Sequence, residues 1–191
     1  MMNIFSLAVA FLLSHAFVAC TPIKSGTLES RSAQTCADPS LATLFVSSFS
    51  HTRTAHLIEV LTITVDYQST IGTADVYDIQ NPSFLAWATP QPFTVPIHQI
   101  KRGDGEDFIF LPEVNGTVPS VSGWSTEGVT AYAYATQVCG SVPLLSVFNS
   151  ATSDHWWTTN AADHARLVAT GRWVDAGVPF YVLPLPYDNE P

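Results

Sequence analysis

The chain has 191 residues, 47% of them hydrophobic and 12% charged, with a formal net charge of -9. That length suits one domain with a sizeable core. The acidic balance excludes a phosphate-tracking surface for nucleic acid or anionic lipid, which needs basic patches to displace counterions; the adjacent basic pair Lys101-Arg102 is followed at once by Asp104, Glu106 and Asp107.

Residues 1 to 20 carry no Asp, Glu, Lys or Arg and hold an apolar stretch from Ile4 to Leu13, too short to span a bilayer, that closes on Ala19-Cys20. This predicts a signal peptide over 1–20 and a secreted, extracellular protein. Cleavage after Cys20 puts Val18 and Cys20 at the two specificity positions, which suits them better than Phe17. A lipid anchor on Cys20 is the alternative, although Phe17-Val18-Ala19-Cys20 matches a lipobox poorly. Removing Cys20 leaves Cys36 and Cys139, an even number in an oxidising compartment, and predicts that they pair. Residues 21–35 are polar, with Pro22 and Gly26, and read as a flexible lead-in to a domain over 36–186, with a tail at 187–191. Asn115-Gly116-Thr117 is an acceptable glycosylation sequon, whereas the proline of Asn81-Pro82-Ser83 excludes that one.

Within 36–186 a phrase occurs three times in progressively clearer form, so the domain divides into units at about 36–90, 91–138 and 139–186. In the first, Phe49, His56, Tyr77 and the run Phe84 to Thr89 align with the later copies, and Ile63 to Ile79 alternates β-forming residues. The second has Val95-Pro96-Ile97, Asp107 to Phe110, Trp124, Gly128-Val129 and Tyr132 to Thr136, with a Pro- and Gly-containing loop over Glu113 to Ser122. The third opens with Val142 to Phe148 as a strand, turns through Asn149 to Asp154, and returns through His155 to Thr159. Asn160 as N-cap, Asp163 in the first turn and Gly171 at the end mark one short helix. Trp173-Val174 and Pro179 to Leu183 complete the unit. These elements predict an all-β fold with small helical decorations, three internal repeats and a β-trefoil-like closed assembly, with Trp87, Tyr134 and Val182 in equivalent places; a three-bladed propeller fits less well, since propellers usually need at least four blades.

Asp154-His155-Trp156-Trp157-Thr158-Thr159 resembles the Asp-His-aromatic-aromatic-Thr-Thr signature of a secreted repeat family of unknown function, domain of unknown function 5648. Val142-Pro143-Leu144, Phe148-Asn149 and Gly177-Val178 match the strand, loop and closing positions of that family, as does Gly128-Val129 in the second unit. The first unit has Ala55 for the aspartate and the second has Phe108 for the histidine. The resemblance covers about residues 36 to 186 and implies a secreted repeat domain without an assigned activity.

Asp154, His155, Trp156, Trp157, Thr158 and Thr159 are the candidate ligand-binding residues. An indole face stacks on the apolar face of a sugar ring while carboxylate, imidazole and hydroxyls direct hydrogen bonds to its hydroxyl groups. The expectation is a lectin-like, non-catalytic module with one glycan site in the third unit, held by Asp154, His155 and one indole. A structural role is equally concrete: Asp154 capping the hairpin turn, His155 bonding a carbonyl and one Trp in the core. On a strand Trp156 and Trp157 face opposite sides. A protein-interaction or inhibitor module using the loops Lys101 to Asp107 and Asn115 to Gly123 is the second reading. A hydrolase is the third: Asp154-His155 and Asp163-His164 resemble acid-base pairs and Ser146 or Ser153 a nucleophile, but no Gly-x-Ser-x-Gly elbow occurs. The absence of His-x-x-x-His and Cys-x-x-Cys pairs predicts neither metal nor cofactor. The partners expected of a monomer are a glycan or an extracellular protein, with no nucleic acid and no membrane span.

Overall fold

A computed structural model describes residues 36–70 and 76–186. The expected signal peptide, the lead-in up to residue 35 and the tail lie outside the described residues. The described residues are mostly β-strand with two short α-helices. In the first unit β1 (Thr43–Ser50) is flanked by its hairpin partner β2 (Ala55–Val60) and, after helix α1 (Leu61–Thr70), by β3 (Tyr77–Ala86). The second unit repeats this order with β4 (Val95–Arg102) between β5 (Phe108–Pro112) and β6 (Trp124–Ala133). In the third, β7 (Val142–Pro143) leads into β8 (Leu145–Asn149), which lies between β9 (Asp154–Thr158) and, after helix α2 (Ala161–Ala169), β10 (Val174–Gly177); β11 (Tyr181–Val182) pairs with β7. Every pairing is antiparallel.

Register ties the three units to one plan. Phe49 faces His56, Lys101 faces Phe108, and Phe148 faces His155. At the far ends Thr43 faces Ala86, Val95 faces Ala133, and Val142 faces Val182. Val182 therefore corresponds to Ala86 and Ala133, and the match to Trp87 and Tyr134 is Leu183, one residue beyond the expected position. A one-residue offset matters because it turns a side chain to the other face of the strand.

Alternation along these strands assembles the core. Phe45, Ile97 and Leu144 of the first strand segments are each fully buried at 0% exposure, and Ile58, Phe110 and Trp157 of the hairpin partners are each at 2%. The Trp157 and Phe110 rings meet edge to face with centroids 5.0 Å apart. Burying a side chain of this size stabilises the fold by roughly 1.5–3 kcal/mol. No sheet closes on itself among the described residues, but two-bond bridges join the last strands: Leu85 with Leu183, Trp87 with Tyr132, and Tyr134 with Tyr181. Each unit is thereby bridged to both of the others.

Cys36 and Cys139 form a disulfide across 103 positions of sequence. Closing a loop of that length stabilises the fold by about 4.7 kcal/mol in the chain-entropy model. Beside it Tyr134 accepts the Ala37 amide through its hydroxyl at 3.0 Å, and the Trp87 indole donates to the Asp38 carbonyl at 2.7 Å.

Helix α2 starts where its cap residue indicates, with the Asn160 side chain accepting the amides of Ala162 and Asp163. Helix α1 departs from the strand-like alternation of Ile63 to Ile79. Only Thr64 of its ten residues is buried, while Ile63, Val65 and Tyr67 are exposed. Intrinsic β preference is worth a few tenths of a kcal/mol per residue and yields to placement here. Hydroxyls of Thr64, Ser69 and Thr70 return to carbonyls three or four residues back, which satisfies them locally.

Candidate functional site

Asp154 and His155 are neighbours on β9 and do not touch. Strand alternation sends them to opposite faces, where each meets a different unit. One Asp154 oxygen accepts the backbone amide of His56 at 3.0 Å and the other accepts His56 Nδ1 at 2.7 Å. Asp107 treats His155 in the same way, taking its amide at 3.1 Å and Nδ1 at 2.8 Å. The aspartate of the second unit thus clamps the histidine of the third, and the aspartate of the third clamps the histidine of the first. The remaining junction has Ala55 in place of the aspartate and Phe108 in place of the histidine, both buried. With acid and base both absent there, the fold is spared an unpaired buried charge. The Arg53 guanidinium lies 5.7 Å from the centroid of the Phe108 ring instead.

The clamp fixes a tautomer. An aspartate oxygen accepts, so Nδ1 of His56 carries the donated hydrogen and Nε2 is left for another partner. Asp154 and His56 side chains are only 5% and 10% exposed, so the ring is rigidly held.

The six candidate residues are distributed over several places. Asp154 is buried as the clamp of His56. His155 lines a cleft of about 180 Å³ with Ile109, Leu111 and Ser146. Trp157 is core. Thr158 is buried and accepts the Asn160 amide at 3.0 Å, and Thr159 reaches the Ser83 carbonyl at 3.4 Å. Trp156 is half-buried and lines a different cleft, of about 380 Å³, between the third and first units.

That second cleft gathers the chemistry. Trp156 on β9 and Trp173 just before β10 supply two indoles, and His56 comes from β2. The His56 and Trp173 rings approach edge-on at 6.5 Å. Gln80 of β3 accepts the Trp156 indole N–H at 3.3 Å, and on α2 Arg166 donates to Asp163 at 3.1 Å beside Leu167. Aromatic faces with a few oriented polar groups are the makings of a small-ligand site. His56 and Trp173 carry a sequence signal, since His56 aligns with His155 and Trp173 with Tyr77 and Trp124. Gln80 carries none: only the pairing of β1 with β3 brings it beside the third unit.

A cleft of about 280 Å³ lies at the junction of the first and second units. A wider space of about 670 Å³ beside the disulfide is walled by Ala37, Pro39 and Gly140, and its Asp38 is turned to Ser40. Among the described residues no three His, Cys, Asp or Glu side chains are grouped to hold a metal ion, and no helix is long and apolar enough to cross a membrane.

Antiparallel three-stranded units, with Asp-His clamps at two of the junctions between them, characterise the domain. The model of a domain of unknown function, DUF5648, matches residues 50–183, and the chain belongs to that family. No curated protein and no solved structure matches it.

Proposed function

We propose that the protein is a secreted, non-catalytic carbohydrate-binding module whose site is the cleft between its third and first units. The observation that carries the reading is the pair of half-buried indoles, Trp156 and Trp173, facing a clamped imidazole and the Gln80 amide across about 380 Å³. A pyranose stacks its apolar face on an indole and offers hydroxyls to His56 Nε2, Gln80, Asp163 and Arg166. Asp154 contributes by holding His56, while His155 is itself held by Asp107 at the neighbouring junction and stays out of this cleft. One such site gives weak affinity, with Kd on the order of millimolar, about -4 kcal/mol.

The three units with their reciprocal bridges support reading the domain as a β-trefoil-like closed assembly of three repeats. Secretion rests on the N-terminal apolar stretch, the disulfide and the sequon. Asn115 and Gly116, with φ of 51° and 74°, form an exposed two-residue turn closed by Val114 and Thr117. A protein-interaction role draws support from the same loop, where Val114 and Val118 are 60% and 49% exposed. A glycan array on the mature protein, followed by titration of any ligand found against Trp156→Ala and Trp173→Ala, tests the proposal. Loss of binding in both folded variants is expected; undiminished binding in both overturns it.

A further inference from the structure

The cleft between the first and second units stands where the Trp156 cleft stands between the third and first. A helix after the hairpin partner strand forms one wall of each, α1 here and α2 there, and an aromatic residue opening the closing strand forms another, Tyr77 here and Trp173 there. Chemistry separates them. Phe108 replaces His56, Leu57 replaces Trp156, and a carboxylate, Glu59, enters from β2.

The charged groups lining this cleft are Glu59, Glu127, Lys101 and Arg53. Glu127 is held by Lys101 at 3.0 Å and by the Ser125 hydroxyl at 2.9 Å. Arg53 sits over the Phe108 ring. Among the described residues Glu59 takes one hydrogen bond, from the Val60 amide to its Oε1 at 2.9 Å, and no cation pairs with it. Glu59 lines the cleft together with Tyr67 and Tyr77, whose rings meet edge to face at 5.4 Å. Burial pushes the Glu59 carboxyl up from its usual value, the Val60 amide opposing some of the rise. Desolvation of this kind is relieved by a partner of opposite charge.

We propose that this cleft is a second binding site and that it takes an organic ammonium, a primary or methylated amine. The charge meets Glu59 in a charge-assisted hydrogen bond or ion pair, and the alkyl groups lie against Leu57 and the faces of Tyr67 and Tyr77. A net charge of -9 favours the approach of a cation.

The test uses n-butylammonium and its neutral counterpart 1-butanol as probes of the full chain, read by amide shifts in two-dimensional nitrogen-15 spectra. n-Butylammonium is expected to move the amides of Glu59, Tyr67 and Phe108 saturably, with Kd on the order of millimolar, and 1-butanol is expected not to. Glu59→Gln is expected to weaken binding about tenfold, or about 1.4 kcal/mol. Tyr67→Phe, which keeps the π face, is expected to bind as the parent does, and Tyr67→Ala to bind several-fold more weakly. Trp156→Ala leaves this site untouched, so its fate is separable from that of the glycan reading. Equal saturation by 1-butanol, or undiminished binding in Glu59→Gln, overturns the proposal. Should Glu59→Gln fail to fold, undiminished binding in Tyr67→Ala does so, since Tyr67 is 41% exposed and tolerates truncation.

Discussion

Two junctions built on one plan carry opposite chemistry. Between the third and first units the aspartate and histidine survive as Asp154 and His56, and the cleft above them is walled by Trp156 and Trp173. Between the first and second units the same positions hold Ala55 and Phe108, and the cleft is walled by Leu57, Tyr67 and Tyr77 around Glu59. The comparison separates two roles that the Asp-His signature runs together. The clamp is an element of packing, because it crosses between units and can be replaced by an apolar pair when both members go at once. The residue after the histidine position, on the same strand, differs between the junctions, Trp156 lining one cleft and Leu57 the other.

The largest test of that separation breaks one clamp and builds another where none exists. Asp154→Ala leaves the His56 amide and Nδ1 without their acceptor in a nearly closed space, and urea denaturation is expected to show a loss of about 3–5 kcal/mol. Ala55→Asp is expected to destabilise by a comparable amount, since its carboxylate would face Phe108. Combining Ala55→Asp with Phe108→His rebuilds a third clamp, so the double variant is expected to be more stable than the sum of the single changes by about 1–3 kcal/mol. Strict additivity would mean that the clamp is not a transferable unit of the fold.

What the chain discloses beforehand follows the same line. Three units, their strand positions and the α2 helix are written in local patterns: Val142-Pro143 and Val95-Pro96 at strand starts, Asn160 as cap, Gly171 as stop. Phe49 and Phe148 align in sequence and hold the same cross-strand partner in space. The pairing of Cys36 with Cys139 is anticipated by their being the two cysteines left once the expected signal peptide is set aside. The partner of Asp154 is not legible, because its nearest histidine in sequence is His155 and its contact, His56, is 98 positions away. Helix α1 is hidden by its β-branched composition, and with it the wall of the ammonium cleft. Gln80 enters the Trp156 cleft through strand pairing alone.

Two adjacent tryptophans sharpen the distinction between core and cleft. Trp157→Ala empties a site packed against Phe110 and is expected to cost about 3–5 kcal/mol in thermal or chemical unfolding. Trp156→Ala removes a half-buried ring and one hydrogen bond to Gln80. It is expected to destabilise by about 1 kcal/mol, the net value of a typical hydrogen bond, while lowering glycan affinity about tenfold or more. Equal destabilisation by the two would place both indoles in the core and remove the wall on which the binding proposal rests.

The smallest expected effect concerns Glu59 and is a matter of pH. Burial raises its carboxyl above the usual 4.5, so ionisation is harder in the folded chain than in the unfolded one. Below 4.5 the group is protonated in both states and imposes no penalty. As pH rises through 4.5 and on through the raised folded value, the unfolded chain ionises first, and the folded state loses stability over that window. Glutamine cannot ionise, so Glu59→Gln is expected to gain on the parent between pH 4 and pH 7, whatever constant difference its amide introduces at the Val60 contact. Comparing urea midpoints of the two proteins at both pH values isolates the change. Saturating n-butylammonium should narrow the gap at pH 7 by stabilising the ionised parent selectively. A gap that is the same at both pH values would mean that Glu59 is as well solvated folded as unfolded, and the contrast between the two clefts would then be one of shape rather than charge.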